Sequence, residues 1–368
     1  MTKLRLGVIF GGRSGEHEIS LRSARSVLRE LNKDKYEMIP IAITKSGHWY
    51  GGPDVLEKLE QGDLTGLLPV TFLPEPGNRN LYHRAEDKGI EILAEVDVMF
   101  PVLHGTFGED GTIQGIFEMA EMPYVGAGVL ASSVGMDKVV FKDVMKSWGI
   151  PIVDYALLTG LDISTDIDLM LQKAEAVGPY PLFTKPVNQG SSVGINKCNN
   201  RSDLIEGLLD AAQYDLRVMV EKGLNAREIE VSVLGNDIPE ASIPGEVVPG
   251  DQFYSYRAKY IDDTSELLIP APIDDGMAEE IRTLAVNAFK AIDGAGMARV
   301  DFLLDRESGK PFVNELNTIP GFTSISMYPK LWEATGLTYS DLLDRLIDLA
   351  FERHAQKMQL LRTYEGGK

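Results

Sequence analysis

Apolar runs without alternation mark the first third of the chain. LRLGVIF (Leu4–Phe10), MIPIAIT (Met38–Thr44) and VDVMFPVLHG (Val96–Gly105) are apolar almost throughout. Strands buried on both faces of a parallel sheet read this way. Apolar residues then recur at helical spacing from about Ser20 to Leu31, and a second helix is predicted from Thr112 to about Glu121. Gly51–Glu95 is less regular. It offers a short helix (Asp54–Leu59), a strand (Val70–Leu73) and the polar run PEPGNRNLYHRAEDKG, which reads as an exposed loop. Met136–Gly149 predicts an amphipathic helix carrying Lys138 and Lys142, closed by Gly149 and Pro151. A strand (Val153–Leu158), a helix (Asp166–Ala176), and a strand, Gly/Ser loop and strand over Pro179–Cys198 follow.

A helix over Asp203–Gln213 precedes strands Val218–Glu221 and Glu228–Leu234. Asp251–Pro272 mixes aromatic and basic residues without a period and reads as an ordered functional loop. Helices Gly276–Ile292, Pro329–Thr335 and Tyr339–Ala350 complete the pattern, and the end from about Ala355 reads as frayed. Between the first two of these helices lies a hairpin. Val300–Leu304 and Pro311–Leu316 are β-prone and joined by the turn-forming DRESGK. A turn centred near Ser308 sets Asp301 opposite Glu315 and Arg299 opposite Asn317. Two carboxylates at about 4 Å repel by about 4 kcal/mol in a medium of effective dielectric about 20. A cation held there would relieve this, and two carboxylates with an amide oxygen suit Mg²⁺ shared with phosphates. A solvated hairpin with scattered acids is the other reading the residues leave open.

Composition narrows the picture. The 368 residues suffice for two or three domains with their own cores. The 44% hydrophobic and 25% charged content is that of a soluble globular protein. A net charge of −19 argues against nucleic acid and anionic membranes as partners, and requires local lysine and arginine clusters for any anionic ligand. Cys198 is the only cysteine, which leaves no disulfide framework and no cysteine metal site. No apolar run approaches membrane-spanning length and the N-terminus does not read as a signal peptide, so a cytoplasmic protein is expected.

Several loops carry candidate chemistry. GGRSGEHEIS (Gly11–Ser20) joins the first strand to a helix, a place where ligands meet backbone amides. His104 ends a buried strand beside the Gly-rich TFGEDG, where open α/β sheets bind ligands. The Gly/Ser loop after Lys185 can present amides to phosphate oxygens. No P-loop motif exists, and the G-x-G-x-x-A at Gly126–Ala131 lacks the strand and acid that a dinucleotide site needs.

Taken together, EHEIS (Glu16–Ser20), HGTFGEDGTIQG (His104–Gly115), MDK (Met136–Lys138), KP-x3-GSSVG (Lys185–Gly194), YRAKY (Tyr256–Tyr260), RVDF (Arg299–Phe302) and NELNTIPGFTS (Asn314–Ser324) resemble the D-alanine–D-alanine ligases. These are ATP-grasp enzymes of bacterial cell-wall synthesis, and the resemblance covers nearly the whole chain. It implies an ATP-grasp fold, α+β in the ATP-binding part, behind an N-terminal open parallel-sheet domain of class α/β. The units implied are residues 1–126, 127–222 and 223–368. Two D-alanines and ATP are the implied substrates, with an acyl phosphate as intermediate. Two Mg²⁺ ions, with Mn²⁺ as a substitute, and a homodimer through the N-terminal domain are implied as well.

The resemblance also assigns residues. Asp301, Glu315 and Asn317 would hold the metal. Lys138, Lys185 and Lys259 would lie along the phosphates, with Ser192 and Asn314 also at the nucleotide. Glu221, Lys222 and Leu224 would meet adenine and Glu228 the ribose. Glu16 would pair with the first D-alanine's ammonium, in a chain with Ser191 and Tyr260, and His104 would lie beside it. Arg299 and the Gly321 amide would form the oxyanion site, and Ser326 and Met327 would bind the second substrate's carboxylate. Related ligases that make D-alanyl-D-lactate lack the tyrosine matched by Tyr260, so its presence favours a dipeptide product.

Overall fold

The computed structural model describes residues 2–85, 89–191, 193–248 and 266–362. Seven strands form the first sheet: β1 (Leu4–Gly11), β2 (Tyr36–Ile43), β3 (Trp49–Gly51), β4 (Leu68–Phe72), β5 (Asn80–Ala85), β6 (Gly89–Glu95) and β7 (Val98–Val102). Their spatial order is β6-β5-β4-β3-β2-β1-β7. β1 pairs in parallel with β2 and β7, as the apolar runs predict. β2 through β6 instead pair antiparallel with their neighbours. The polar run read as an exposed loop therefore contains a strand, β5. Leu81 is buried there while Tyr82 and His83 stay partly exposed, and this outward polar side hides the strand in the sequence.

The second sheet is β8 (Tyr155–Thr159), β9 (Leu182–Pro186), β10 (Asn196–Cys198) and β11 (Arg217–Lys222), antiparallel in the order β10-β9-β11-β8. Helices Ile167–Glu175 and Arg201–Ala211 cover it, packing Met170, Leu204 and Leu208 onto Leu182, Val218 and Val220. The third contains β12 (Ala226–Gly235), β13 (Glu240–Ala241), β14 (Gly245–Val248), β15 (Glu266–Leu268), β16 (Gly296–Asp305) and β17 (Pro311–Asn317). Its order is β15-β14-β12-β16-β17, with β13 beside β12. Helix Asp275–Ala291 buries Ile281, Ala285 and Phe289 against Ile229, Val231, Val300 and Phe302. The other face of this sheet looks onto a cleft.

The helix expected over Met136–Gly149 runs from Lys138 to Ser147, and a separate helix, Val129–Met136, precedes it. Asp137 breaks the run and caps the second helix, its carboxylate accepting from the Val139 and Val140 amides. The last helix runs from Tyr339 to Met358, past the point where fraying is expected. Its Leu342, Leu346 and Leu349 share a core with Leu6, Phe10 and Phe100 of the first sheet. That apolar stripe ties the end of the chain to its beginning. Among the described residues no helix is long and apolar enough to cross a membrane.

Candidate active site

One cavity of about 850 Å³ lies where the second and third sheets face each other and the first sheet's loops close one end. Glu16, His104, Lys138, Lys185, Ser191, Glu221, Lys222, Leu224, Glu228, Arg299, Asn314, Glu315, Asn317 and Gly321 all line it. Lys259, Tyr260 and Ser192, and with them most of the loop 251–272, lie outside the described residues.

The hairpin β16–β17 supplies the floor. Arg299, Asp301 and Leu303 face outward from the core while Val300, Phe302 and Leu304 are buried. Asp301 pairs with Glu315 and Arg299 with Asn317, the register expected from sequence. The turn is tighter than expected, since Leu304 pairs with Pro311 and Phe302 with Val313. The two registers are reconciled by a bulge that makes Asn314 the extra residue. Asn314 and Glu315 consequently both face the cleft, while Val313 and Leu316 both stay in the core. Bulges beside active sites commonly re-aim side chains in this way.

Arg299 is held rigidly. Its Nε and Nη2 donate to the two Asp301 oxygens at 2.7 and 2.6 Å, and Nε also lies 3.0 Å from Glu230 Oε2. Asn317 Nδ2 donates to Asp301 at 3.1 Å. Glu230 stands opposite Asp301 on β12 and is absent from the sequence reading. The alternation of Glu228, Glu230 and Ser232 with buried Ile229, Val231 and Val233 is the signal that could have found it. A fixed guanidinium with its fork partly exposed to the cavity can stabilise developing negative charge.

At the first sheet's end of the cavity, Glu16 begins the helix His17–Glu30 and is only 8% exposed. Ser191 Oγ donates to its carboxylate. The Gly/Ser loop and the His104 loop both press on it: a Cβ at Gly105 or Gly190 would lie 2.5 or 2.6 Å from Glu16 Oε2. Only glycine permits so close an approach. Glu109, from the same TFGEDG run, accepts from the Gly105 and Ile319 amides at 2.7 and 3.2 Å. Burial, aided by the nearby Glu16 charge, pushes its carboxyl up to about 8. Sequence reading gave Glu109 no role.

His104 has both ring nitrogens engaged. Nδ1 donates to the Ile319 carbonyl at 3.0 Å and Nε2 accepts from Ser23 Oγ at 2.9 Å, the tautomer that the carbonyl dictates. Burial holds the imidazole down at about 4, so it is neutral. Segment 319–323 is thus pinned on all sides: Ile319 by His104 and Glu109, the Phe322 amide by Ser23, and the Phe322 carbonyl by Tyr339 Oη at 2.5 Å. The Phe322 ring sits between Phe100, Tyr328 and Tyr339, with centroids 5.9, 5.5 and 6.2 Å away. Gly321 lies within this segment and lines the cavity together with Arg299.

The basic residues lie along the second sheet. Lys138 Nζ donates to the Gln189 carbonyl at 2.5 Å and so holds the base of the Gly/Ser loop. Lys185 and the buried Lys142 each stand 2.5 Å from one oxygen of Glu221. Burial alone would raise the Glu221 carboxyl, but the two lysines override it and hold it at about 2. Each oxygen of the Glu221 carboxylate is thus held by one lysine. Ser326 and Met327 begin the helix Met327–Thr335. Ser326 Oγ accepts from the Thr323 amide, and the Met327 side chain packs with Val247 and Leu331. Any anion there would be met by main-chain amides of the helix N-terminus.

Asp301, Glu315 and Asn317 form a hard donor set of two carboxylates and an amide. Among the described residues no three Asp, Glu, His or Cys side chains cluster as a closed metal cage. Few protein oxygens with room for phosphate oxygens is what Mg²⁺ requires, so the residues fit that ion.

A family model described as D-ala D-ala ligase N-terminus matches residues 5–127, and one described as D-ala D-ala ligase C-terminus matches residues 144–348. The D-alanine--D-alanine ligase of Thermoanaerobacter sp. (strain X514) is 51% identical over 359 residues, covering 97% of this chain and 99% of that protein. That of Caldicellulosiruptor bescii is 45% identical and covers 100% of both. The solved D-alanine-D-alanine ligase from Coxiella burnetii superposes with a TM-score of 0.84 at 36% identity, covering 99% of each chain. The D-Ala:D-Ser ligase VanG from Enterococcus faecalis gives 0.84 and 36%, covering 95% of this chain and 100% of that one.

Proposed function

Since the chain belongs to the D-alanine–D-alanine ligase family, we propose that it joins two D-alanines into D-alanyl-D-alanine at the expense of ATP, for cell-wall precursor synthesis. Its fold is the ATP-grasp fold of its structural neighbours. The observation that carries the reading is a single cavity with the Glu16 carboxylate at one end and the Lys185–Glu221 hinge at the other. One end suits an ammonium group and the other a nucleotide.

In this reading Glu16, oriented by Ser191, binds the first D-alanine's ammonium, and His104 acts through the segment 319–323 that it holds. Lys138, Lys185 and Lys259 steer the triphosphate, with Ser192 and Asn314 beside it. Lys222, Leu224 and the Glu221 main chain receive adenine, and Glu228 the ribose. The carboxylate of the first D-alanine attacks the γ-phosphorus. A C–O–P link forms and the bond to ADP breaks. The second D-alanine, its carboxylate at the Ser326–Met327 helix N-terminus, attacks the acyl carbon with its neutral amine. The C–N bond forms, phosphate leaves and the amine loses a proton. Arg299 and the Gly321 amide face the oxyanion of that step, and Tyr260 links the loop to Ser191. Positioning and fixed charge do most of the work. Asp301, Glu315 and Asn317 would hold two Mg²⁺ ions, or Mn²⁺ in their place, which when bound neutralise charge on the transferring phosphoryl group.

Units 1–126, 127–222 and 223–368, a homodimer through the N-terminal unit and a cytoplasmic site of action belong to the same proposal. The net charge of −19 supports the absence of nucleic-acid and membrane partners. D-Serine is the competing second substrate, because a D-Ala:D-Ser ligase is as similar in structure as a D-alanine-D-alanine ligase is. The test is phosphate release from ATP and Mg²⁺ with D-alanine, with L-alanine, and with D-serine or D-lactate added. Release with D-alanine alone, loss with L-alanine and loss on chelation by EDTA are expected. No release with D-alanine overturns the assignment, and a mixed product dominating with D-serine reassigns the second substrate.

A further inference from the structure

Lys142 is a lysine that the proposed reaction does not use, and its side chain is only 1% exposed. It lies one helical turn beyond Lys138 on helix Lys138–Ser147, so both side chains leave the same face. Lys138 reaches the Gln189 carbonyl at the cavity wall, and Lys142 reaches Glu221 beneath it. A lysine this deeply buried is rare unless a counter-charge holds it. The counter-charge is shared. Glu221 gives Oε1 to Lys142 and Oε2 to Lys185, each at 2.5 Å, and is itself 2% exposed. Three buried or half-buried charges therefore sum to +1. Lys185 and Glu221 both line the cavity, Lys185 being the more exposed at 13% of its side chain, whereas Lys142 does not line it.

We propose that Lys142 is a positioning residue of the nucleotide site: it neutralises Glu221 from below, so that the charge of Lys185 remains available to a phosphate. With Lys142 absent, Lys185 and Glu221 would form a closed neutral pair, and this group would lose its net positive charge beside the triphosphate. Lys142 also fixes Glu221 at the start of the hinge Lys222–Leu224, which lines the same cavity. The inference rests on the reading that Lys185 faces ATP.

The test uses the full chain and steady-state kinetics of Lys142→Met, Lys185→Met and the double variant Lys142→Met/Glu221→Gln. Lys142→Met is expected to raise KM for ATP by about thirtyfold and KM for D-alanine by less than about threefold, as removing one partner of a buried charge group does locally. A purely structural loss would move both constants together. The double variant removes the orphaned carboxylate charge as well, and its KM for ATP is expected within about fivefold of the unmodified protein. An unchanged KM for ATP in Lys142→Met, or a double variant no better than the single one, overturns the proposal. If Lys142→Met alone does not fold, the double variant decides: near-normal KM for ATP supports the proposal and a thirtyfold rise overturns it. Lys185→Met separates the two readings. A normal KM for ATP there rejects the phosphate role of Lys185 and this proposal with it, whereas an impaired Lys185→Met beside a normal Lys142→Met rejects this proposal alone.

Discussion

His104 illustrates how a residue type can be legible while its work is not. Sequence placed it at a strand end beside a Gly-rich loop, and the family resemblance set it beside the first D-alanine's subsite. In the fold its two nitrogens hold Ile319 and Ser23, and its burial keeps it neutral. This has a pH consequence of definite sign. The unfolded imidazole takes up a proton near 6.5 and the folded one only near 4. Its contribution is present above 6.5 and is lost as pH falls from there to 4, by about 3 kcal/mol in all. His104→Gln, which keeps a donor and an acceptor, is expected to flatten the decline of stability over that interval in denaturant titrations. A variant with the same slope would show that His104 is not the group responsible. Glu109 and Glu230 were overlooked for a related reason. An acid in a Gly-rich run or on a strand reads as solvated until the backbone amides or the arginine that it serves are brought against it from elsewhere in the chain.

At the scale of elements, the β16–β17 hairpin was largely readable. Apolar alternation and turn chemistry located it, and the Asp301–Glu315 pairing came out as expected. The expected register was right although the turn is tighter, because Asn314 makes up the difference. A signal was present: Val313 and Leu316 are both core residues three apart, which a regular strand cannot accommodate. Deleting Asn314 would restore strict alternation with Glu315 still outward and Leu316 still inward. The deletion variant is expected to melt no lower than the parent yet to lose at least about a hundredfold in phosphate release, since the cavity loses the Asn314 side chain and the bulge that sets how far Glu315 reaches into it. Parental turnover would show that the bulge is incidental. The strand β5 was missed because only Leu81 among its central residues is buried, and a mostly polar segment looks like a loop.

Across the whole molecule, the segment bearing Gly321 is set by parts of the chain far apart in sequence. Phe322 lies fully buried among Phe100 of the first sheet, Tyr328 of the helix Met327–Thr335 and Tyr339 of the last helix. Phe322→Ala is expected to cost about 3–5 kcal/mol in denaturant unfolding and to lower kcat more than KM for ATP, because the Gly321 amide would lose its fixed position. Equal stability, or a loss confined to KM for ATP, would contradict that role. The sequence by itself determined the order of elements, the hairpin that sets Asp301 opposite Glu315, and the motif set that identifies the family, because periodicity and turn chemistry are local. It could not determine that Lys142 lies under Glu221, that Glu109 and His104 hold a segment some 210 residues later, or that the last helix completes the first core. Those facts depend on which buried charges and amides meet, and burial is a property of the packed chain alone.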